Sequence, residues 1–211
     1  MSESTPNGER QPRTGKSLKA QQRRQEILQI AMDTFAARGY NNASLQEIAD
    51  RAGVTQAGVL HYFRSKAQLL TSVLALRDET DIEQLGPERP RGLAFLRHLV
   101  DTVRRNTERE GIVRLYAVLS AESVTQGHPA QEYFRERYAG LRAFVTEALA
   151  EASELGETQP DLDIEEAATA IIAVMDGLQI QWLLAPDSVN MAAVTDRVIN
   201  ALLADLSGEP A

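Results

Sequence analysis

Three helix-capping signals follow one another closely between Ser44 and Lys66, in the stretch SLQEIADRAGVTQAGVLHYFRSK. Ser44 is followed three residues later by Glu47, which forms a capping box, and Thr55 is suited to cap a second short helix. Between them, Gly53 supplies a residue that adopts left-handed backbone at no steric cost. Each helical piece is too short to be stable alone in water. The two pieces therefore need neighbouring helices to hold them.

Longer helical patterns on both sides of this stretch can provide that support. Upstream, apolar residues recur at intervals of three and four, and Gly39 is placed to end that helix. Downstream, another capping box at residues 65–68 opens a helix over about 66–80. We therefore predict a helix-turn-helix over residues 44–63, held in a three- to four-helix domain that spans residues 20–81.

A helix-turn-helix presents the outer face of its second helix to solvent, where it can enter the major groove of DNA. We expect Val59, Leu60 and Phe63 to form the buried side of that helix. Gln56 falls in its first turn, where a glutamine can pair with adenine through two hydrogen bonds. Lys66 begins the next helix, where its charge and a free backbone N–H both favour a phosphate. The same pattern is compatible with an ordinary helical hairpin inside a bundle.

The predicted DNA contacts combine helix caps, small residues and polar or charged groups. Small residues early in the second helix permit close approach to DNA, and the capping hydroxyls can contact phosphates. The predicted DNA-binding residues are Ser44, Thr55, Gln56, Ala57, Gly58, His61, Tyr62 and Lys66. Because no lysine or arginine lies between Thr55 and Phe63, we expect only modest direct reading of the bases.

Charge is distributed unevenly along the chain, whose net charge is −8. Residues 1–66 carry 10 basic and 6 acidic side chains, whereas residues 67–211 carry 12 and 24. A basic head on an acidic body fits a polyanionic partner, although chance clustering of a few charges explains the asymmetry about as well. Residues 1–19 are polar and contain proline and glycine, and we predict that they form a disordered basic arm.

Residues 21–81 resemble the DNA-binding domain of the TetR family of bacterial transcriptional regulators. The resemblance rests on F-x-x-x-G-Y before the first capping box, I-A-x-x-A-G-V inside the helix-turn-helix and Y-F-x-x-K after it. The family often has Gly in place of Ala57 and Tyr in place of Leu60, which leaves Gly58 and Tyr62 for close approach and phosphate contact. The resemblance implies a homodimer that binds a near-palindromic operator in the bacterial cytoplasm, associated with the nucleoid.

Helical patterns continue to the end of the chain without strand-like alternation, so we predict an all-α protein of about nine helices. The predicted C-terminal helices span about 91–106, 109–126, 129–155, 163–184 and 188–206. The resemblance implies that residues 82–211 form a helical domain that binds an effector and dimerises.

The helix predicted at 163–184 is apolar on nearly all sides, so both of its faces must be covered. One face can pack within its own subunit and the other on a partner, and a fully buried central helix in a monomer is the alternative. Following the resemblance, we predict that this helix and the last one form a four-helix dimer interface. The predicted interface residues are Ile171, Ile172, Leu178, Leu183, Val194, Val198, Leu202 and Leu206.

A ligand pocket is expected among the helices at 91–155, with the helix at 163–184 forming part of its wall. Candidate lining residues are aromatic or polar side chains on otherwise apolar faces: His98, Tyr116, Tyr133, Phe134, Tyr138, Met175, Asp176, Gln179 and Trp182. Such walls suit a small hydrophobic molecule, although each aromatic is also compatible with plain core packing. An ionised Asp176 inside an apolar helix needs a partner or a cationic ligand.

Motifs of other functional classes are missing from the sequence. The three histidines lie on different segments, and the chain lacks G-x-S-x-G, H-E-x-x-H, P-loop and dinucleotide-binding patterns, so we predict no enzyme. Without cysteine there is no disulfide or thiolate site, and we predict no cofactor, no metal and no membrane partner. We predict a ligand-responsive repressor, with an activator or a ligand-independent regulator as the alternative and a helical protein adaptor as a weaker one.

Overall fold

The computed structural model describes residues 15–85, 90–158 and 161–204, and these residues form nine α-helices and no strand. The helices are α1 (Gly15–Asn42), α2 (Leu45–Arg51), α3 (Gln56–Tyr62), α4 (Lys66–Leu85), α5 (Gly92–Asn106), α6 (Glu110–Ser123), α7 (Gln131–Glu154), α8 (Ile164–Leu184) and α9 (Met191–Ala204). The predicted all-α fold is confirmed. The domain boundary predicted after residue 81 falls inside α4.

The helix-turn-helix forms through the caps that the sequence indicates. Ser44 Oγ accepts the backbone N–H of Glu47 at 3.0 Å, which begins α2. Thr55 Oγ1 accepts the N–H of Gly58 at 3.1 Å, which begins α3. Gly53 has φ of 64°, so the turn uses the left-handed conformation that glycine adopts freely. These three local predictions are confirmed.

Helix α1 is longer than its apolar pattern predicts. It begins at Gly15, so residues 15–19 of the predicted arm are helical, and residues 1–14 lie outside the described part of the chain. Its first turns contain Lys, Leu, Ala, Gln and Arg, which are strong helix formers even where no apolar face requires a helix. Gly39 interrupts the helix with φ of 71° and ψ of 174°, at the position predicted for its end.

We call α1–α4 the head and α5–α9 the body. The apolar core of the head contains residues from both sides of the predicted domain boundary. Phe35, Ile48, Val59 and Phe63 are at most 1% exposed, and Leu70 of α4 is fully buried beside them. The cluster is completed by residues of α6 and α7, namely Leu115, Leu119, Ala130 and Phe134. The head therefore buries its apolar faces partly against the body.

Two further apolar clusters form the body around α8. The larger one joins α5, α7, α8 and α9, and the smaller one packs Trp182 and Leu178 of α8 against Val103 and Met191. Among the described helices α8 has the length and composition to cross a bilayer, which is equally expected of a central core helix.

Candidate DNA-binding surface and ligand cavity

The exposed face of α3 carries most of the predicted DNA-binding side chains. Gln56, Ala57 and His61 are exposed, whereas Val59 is fully buried. Gly58 is half-buried, and a Cβ there would lie 3.3 Å from Cβ of Val54, so glycine relieves crowding at the start of the helix. The first turn of α3 thus exposes small residues, with Gln56 as the one long side chain among them.

Leu60 lies on the outer face of α3, so the prediction that it is buried is wrong. Its side chain is 36% exposed, while Val59 and Phe63 are at most 1% exposed. Residues 59 and 63 are four apart and share one face of the helix, whereas residue 60 is turned about 100° away from residue 59. A seven-residue helix with only one covered side cannot bury all three.

The remaining predicted DNA contacts surround α3. Ser44 and Thr55 are exposed, and the hydroxyl of each cap still has its own hydrogen to donate. Tyr62 is half-buried, and its ring packs edge-on against His61 with the centroids 5.4 Å apart. Lys66 is also half-buried, at the first residue of α4. The eight predicted residues therefore lie at the starts of α2, α3 and α4 and along α3.

Two arginines of α1 lie beside this surface and were missed in the sequence. The guanidinium of Arg24 lies 4.9 Å from the centroid of the Phe63 ring, next to the end of α3. Arg23 donates to the carbonyl of Ala52 at 3.1 Å, in the turn between α2 and α3. Both arginines lie inside the predicted domain, but their contacts are with residues far along the chain, which no local sequence pattern encodes.

A cavity of about 160 Å³ lies in the body between α5, α6, α7 and α8. Six of the nine predicted lining residues contribute to its wall: Tyr116, Phe134, Tyr138, Met175, Asp176 and Gln179. Leucine, isoleucine and valine side chains complete much of the wall, and Thr102, Asn106, Ser120 and Arg137 add polar groups. These four were missed because no local pattern distinguishes a polar side chain that faces a cavity from one that faces solvent.

The other three predicted lining residues lie outside the wall. Tyr133 stands behind it, with its hydroxyl 2.8 Å from that of Tyr116. His98 stacks against Phe95 at 6.4 Å between centroids, and burial lowers its pKa. Trp182 packs in the smaller core cluster. Aromatic residues on helical faces thus divide between cavity and core in a way that the sequence alone does not show.

Asp176 and Tyr138 form the main polar pair of the cavity. The Tyr138 hydroxyl donates to Oδ2 of Asp176 at 2.7 Å. Burial is the main cause that raises the pKa of Tyr138 to about 12, and burial also raises the pKa of Asp176 against the opposing effects of Tyr138 and Arg137. The Arg137 guanidinium lies 4.5 Å from the centroid of the Tyr116 ring. The cavity wall therefore contains one carboxyl group, of Asp176, and one guanidinium group, of Arg137, among mostly apolar side chains.

The predicted dimer residues occupy different environments. Ile171, Ile172 and Leu178 are at most 9% exposed within the single subunit, so their side chains belong to its own core. Leu183 and Val198 are half-buried, and the described side chains do not include Leu202 and Leu206. The exposed apolar residues of α8 and α9 are Ile180 at 50%, Leu184 at 81% and Val194 at 40%.

Clustered metal ligands are not found in the described ranges, where no group of three or more His, Asp or Glu side chains could hold a metal ion. The site consists of a helix-turn-helix with an exposed second helix, joined to a helical body with a partly open cavity. That combination defines a class of DNA-binding regulators with a ligand-binding domain.

Comparison with known families agrees with this class. Residues 27–73 match the model described as "Bacterial regulatory proteins, tetR family", and residues 89–207 match "BetI-type transcriptional repressor, C-terminal". The chain belongs to the TetR family of bacterial transcriptional regulators. The family resemblance noted in the sequence is thereby confirmed, and the protein is a regulator rather than an enzyme.

Full-length relatives and solved structures share this architecture. The regulator TtgR of Pseudomonas putida is 29% identical over 204 residues, which cover 91% of this chain and 95% of the relative. FadR of Bacillus subtilis, solved with stearoyl-CoA, has a TM-score of 0.72 at 19% identity and covers 86% of this chain and 98% of its own. A regulator of Saccharomonospora viridis solved with choline has a TM-score of 0.71 at 20% identity, over 88% and 98% of the two chains.

Proposed function

We propose that this protein is a ligand-responsive repressor, which binds a near-palindromic operator as a homodimer and is released by a small, mostly apolar molecule. One observation carries the proposal: α6 belongs to both halves of the molecule. Tyr116 and Ser120 of α6 line the cavity, while Leu115 and Leu119 of the same helix belong to the core of the head. A ligand that shifts α6 must therefore disturb the packing behind the DNA-binding surface.

Operator binding is assigned to the outer face of α3 and the caps around it. Gln56 is the candidate base-reading residue, and Ala57 and Gly58 allow the helix to lie close to the bases. Ser44, Thr55, His61, Tyr62 and Lys66 complete the proposed DNA-binding residues. Lys66→Ala should weaken binding on all sequences and reduce the slope of log affinity against log salt by ~0.9 for each lost phosphate contact. An unchanged slope would remove Lys66 from the phosphate contacts.

Dimerisation is assigned to the exposed apolar stripe of α8 with the adjacent face of α9. Ala173, Gly177, Ile180 and Leu184 follow one another at helical spacing along α8, and a Cβ at Gly177 meets nothing within 4 Å in the single subunit. The small residues would let two subunits approach closely, and Val194 extends the apolar area on α9.

A substitution at Gly177 can test this interface without altering the packing of the subunit. Gly177→Leu should fold as the wild type does and shift the sedimentation coefficient from dimer to monomer, because the added side chain projects into the interface. Gly140→Leu is the matched control, since a Cβ at that helical glycine also meets nothing within 4 Å. Dimers of unchanged stability in Gly177→Leu would place the interface elsewhere.

Effector binding is assigned to the cavity beside α6. The relatives with solved ligands hold chemically different molecules, stearoyl-CoA and choline, so the ligand of this chain must be sought from its own walls. Mostly apolar walls with a few polar groups favour a small hydrophobic molecule that can hydrogen-bond to Asp176 or Gln179. His98, Tyr133 and Trp182 do not line the cavity in this structure and are not retained as proposed contacts.

Filling the cavity from α6 provides the corresponding test. The fluorescent apolar amine N-phenyl-1-naphthylamine should gain intensity with the wild type and not with Ala117→Trp, because Ala117 lines the cavity. Ala121→Trp is the control, since Ala121 is exposed on the same helix. Equal fluorescence with all three proteins would mean that the dye binds outside the cavity.

An activator or a ligand-independent regulator would use the same DNA-binding surface. The cavity favours ligand control, and repression is the simplest outcome because a bound dimer needs only to block polymerase. A protein adaptor is disfavoured by family membership. We place the action of the protein at the nucleoid in the bacterial cytoplasm, where its operator lies.

A further inference from the structure

An acidic side chain of the body contacts the head at the Gly39 kink of α1. Glu122, in the last turn of α6, accepts the backbone N–H of Tyr40 at 2.6 Å through Oε2. A Cβ at position 39 would overlap the Glu122 carboxylate, and Gly39 has positive φ. The glycine thus interrupts the helix and also provides the space in which the carboxylate sits. This contact joins residues 82 positions apart.

The Tyr40 ring connects that contact to the DNA-binding surface. Nζ of Lys66 lies 4.4 Å from the centroid of the ring and donates to the carbonyl of Asn41 at 3.4 Å. His128 packs edge-on against the same ring, with the centroids 5.1 Å apart. Burial lowers the pKa of Lys66, and the Glu122 carboxylate opposes that shift. Lys66 is therefore held against the protein, and it still has N–H groups to offer to a phosphate.

We propose that Glu122 is a positioning residue for operator binding, which fixes Tyr40 and through it holds Lys66 in place for a DNA phosphate. A lysine that is already ordered loses less side-chain entropy when it contacts a phosphate than one that is free in solvent. The proposal rests on the operator-binding function proposed above. Ligand binding could affect DNA binding through the same contact, because Tyr116 and Ser120 of α6 line the cavity.

A double-mutant cycle with salt titration tests the proposal on full-length protein. The DNA is a fragment that the wild type selects from random-sequence DNA, and affinity is measured by fluorescence anisotropy between 50 and 200 mM salt. Lys66→Ala should lower the salt slope of the dimer by about 1.8, since two phosphate contacts are lost at ~0.9 each. Glu122→Ala should also lower the salt slope. In the Lys66→Ala background it should lower the slope no further. Additive effects of the two substitutions would overturn the proposal.

Conservative variants separate positioning from a loss of folding. Glu122→Gln keeps an oxygen that can accept the Tyr40 N–H, so it should retain most of the wild-type slope. Tyr40→Leu removes only the ring and should behave as Glu122→Ala does, which keeps the test valid if Glu122→Ala does not fold. Glu110→Ala, on the exposed start of the same helix, is the control and should leave the slope unchanged. A wild-type slope in Tyr40→Leu would contradict the proposal.

A readout without DNA distinguishes failure of this proposal from failure of the proposed function. The Lys66 side-chain protons lie over the Tyr40 ring, so their NMR resonances should be shifted upfield in the wild type and return toward random-coil values in Glu122→Ala. Unshifted Lys66 resonances in the wild type would overturn the proposal alone. A wild type that selects no DNA sequence would overturn the proposed function, and the positioning role with it.

Discussion

Truncation of Leu119 should weaken the DNA-binding head although the residue belongs to the body. Leu119 of α6 is fully buried and lies in the same apolar cluster as Phe35, Ile48 and Phe63 of the head. Replacing a buried leucine by alanine costs about 3 kcal/mol, since it loses transfer free energy and leaves a cavity. In a chain of this length that loss lowers the melting temperature by about 6–12 °C. The same loss raises the equilibrium constant for local unfolding roughly 100-fold in those helices whose packing depends on Leu119.

Native-state hydrogen exchange can locate where that loss acts. In Leu119→Ala, the amides of Val59 and Phe63, which bond to Thr55 and Val59 at 3.1 and 3.0 Å, should exchange faster by up to ~100-fold. Leu96→Ala is the matched control, because Leu96 is also fully buried but lies in the larger body cluster. Its effect on the head amides should be smaller. If Leu119→Ala left the head amides unchanged while it destabilised the body, the shared core would be refuted.

Further expected outcomes concern pH, the cavity and base reading. Burial lowers the pKa of His128 and His98 below the ordinary value of 6.5, so the unfolded chain binds more protons than the folded one as pH falls through 6.5. The free energy of unfolding measured with urea should therefore fall below that pH. The fall should be smaller in His128→Gln and in His98→Gln. Tyr138→Phe removes the hydrogen bond that lowers the pKa of Asp176, so carboxyl ¹³C NMR should show that pKa rising further, and a fall would contradict the assignment. Gln56→Ala should relax preference at one or two base pairs in an operator-variant screen, and equal weakening on every variant would mean that Gln56 does not read bases.

The local signals of the sequence predict the head well because each one acts within a few residues. The caps at Ser44 and Thr55 and the turn at Gly53 depend only on neighbouring backbone, and the structure contains all three. Leu60 was placed wrongly because an apolar residue in a short helix carries no mark of the side that is covered. The early start of α1 was missed because apolar periodicity does not report residues that are helical by propensity alone.

The body is harder to predict because its helices are covered on several sides. In α8, nearly every position is apolar, so the pattern does not distinguish Ile171, which is 2% exposed, from Leu184, which is 81% exposed. The same limit applies to aromatic residues, since Trp182 packs in the core while Tyr138 lines the cavity. The contact of Glu122 with Tyr40 is a long-range pairing that no local pattern encodes.

Sequence-specific binding of operator DNA can be measured by fluorescence anisotropy. The purified protein would be titrated against the DNA upstream of its own coding region and against a scrambled fragment of equal length, each at two salt concentrations. We expect tight binding to the upstream fragment, with a clear preference over the scrambled one and a steep loss of affinity as salt rises. Absence of binding to either fragment even at low salt would contradict operator recognition by this protein.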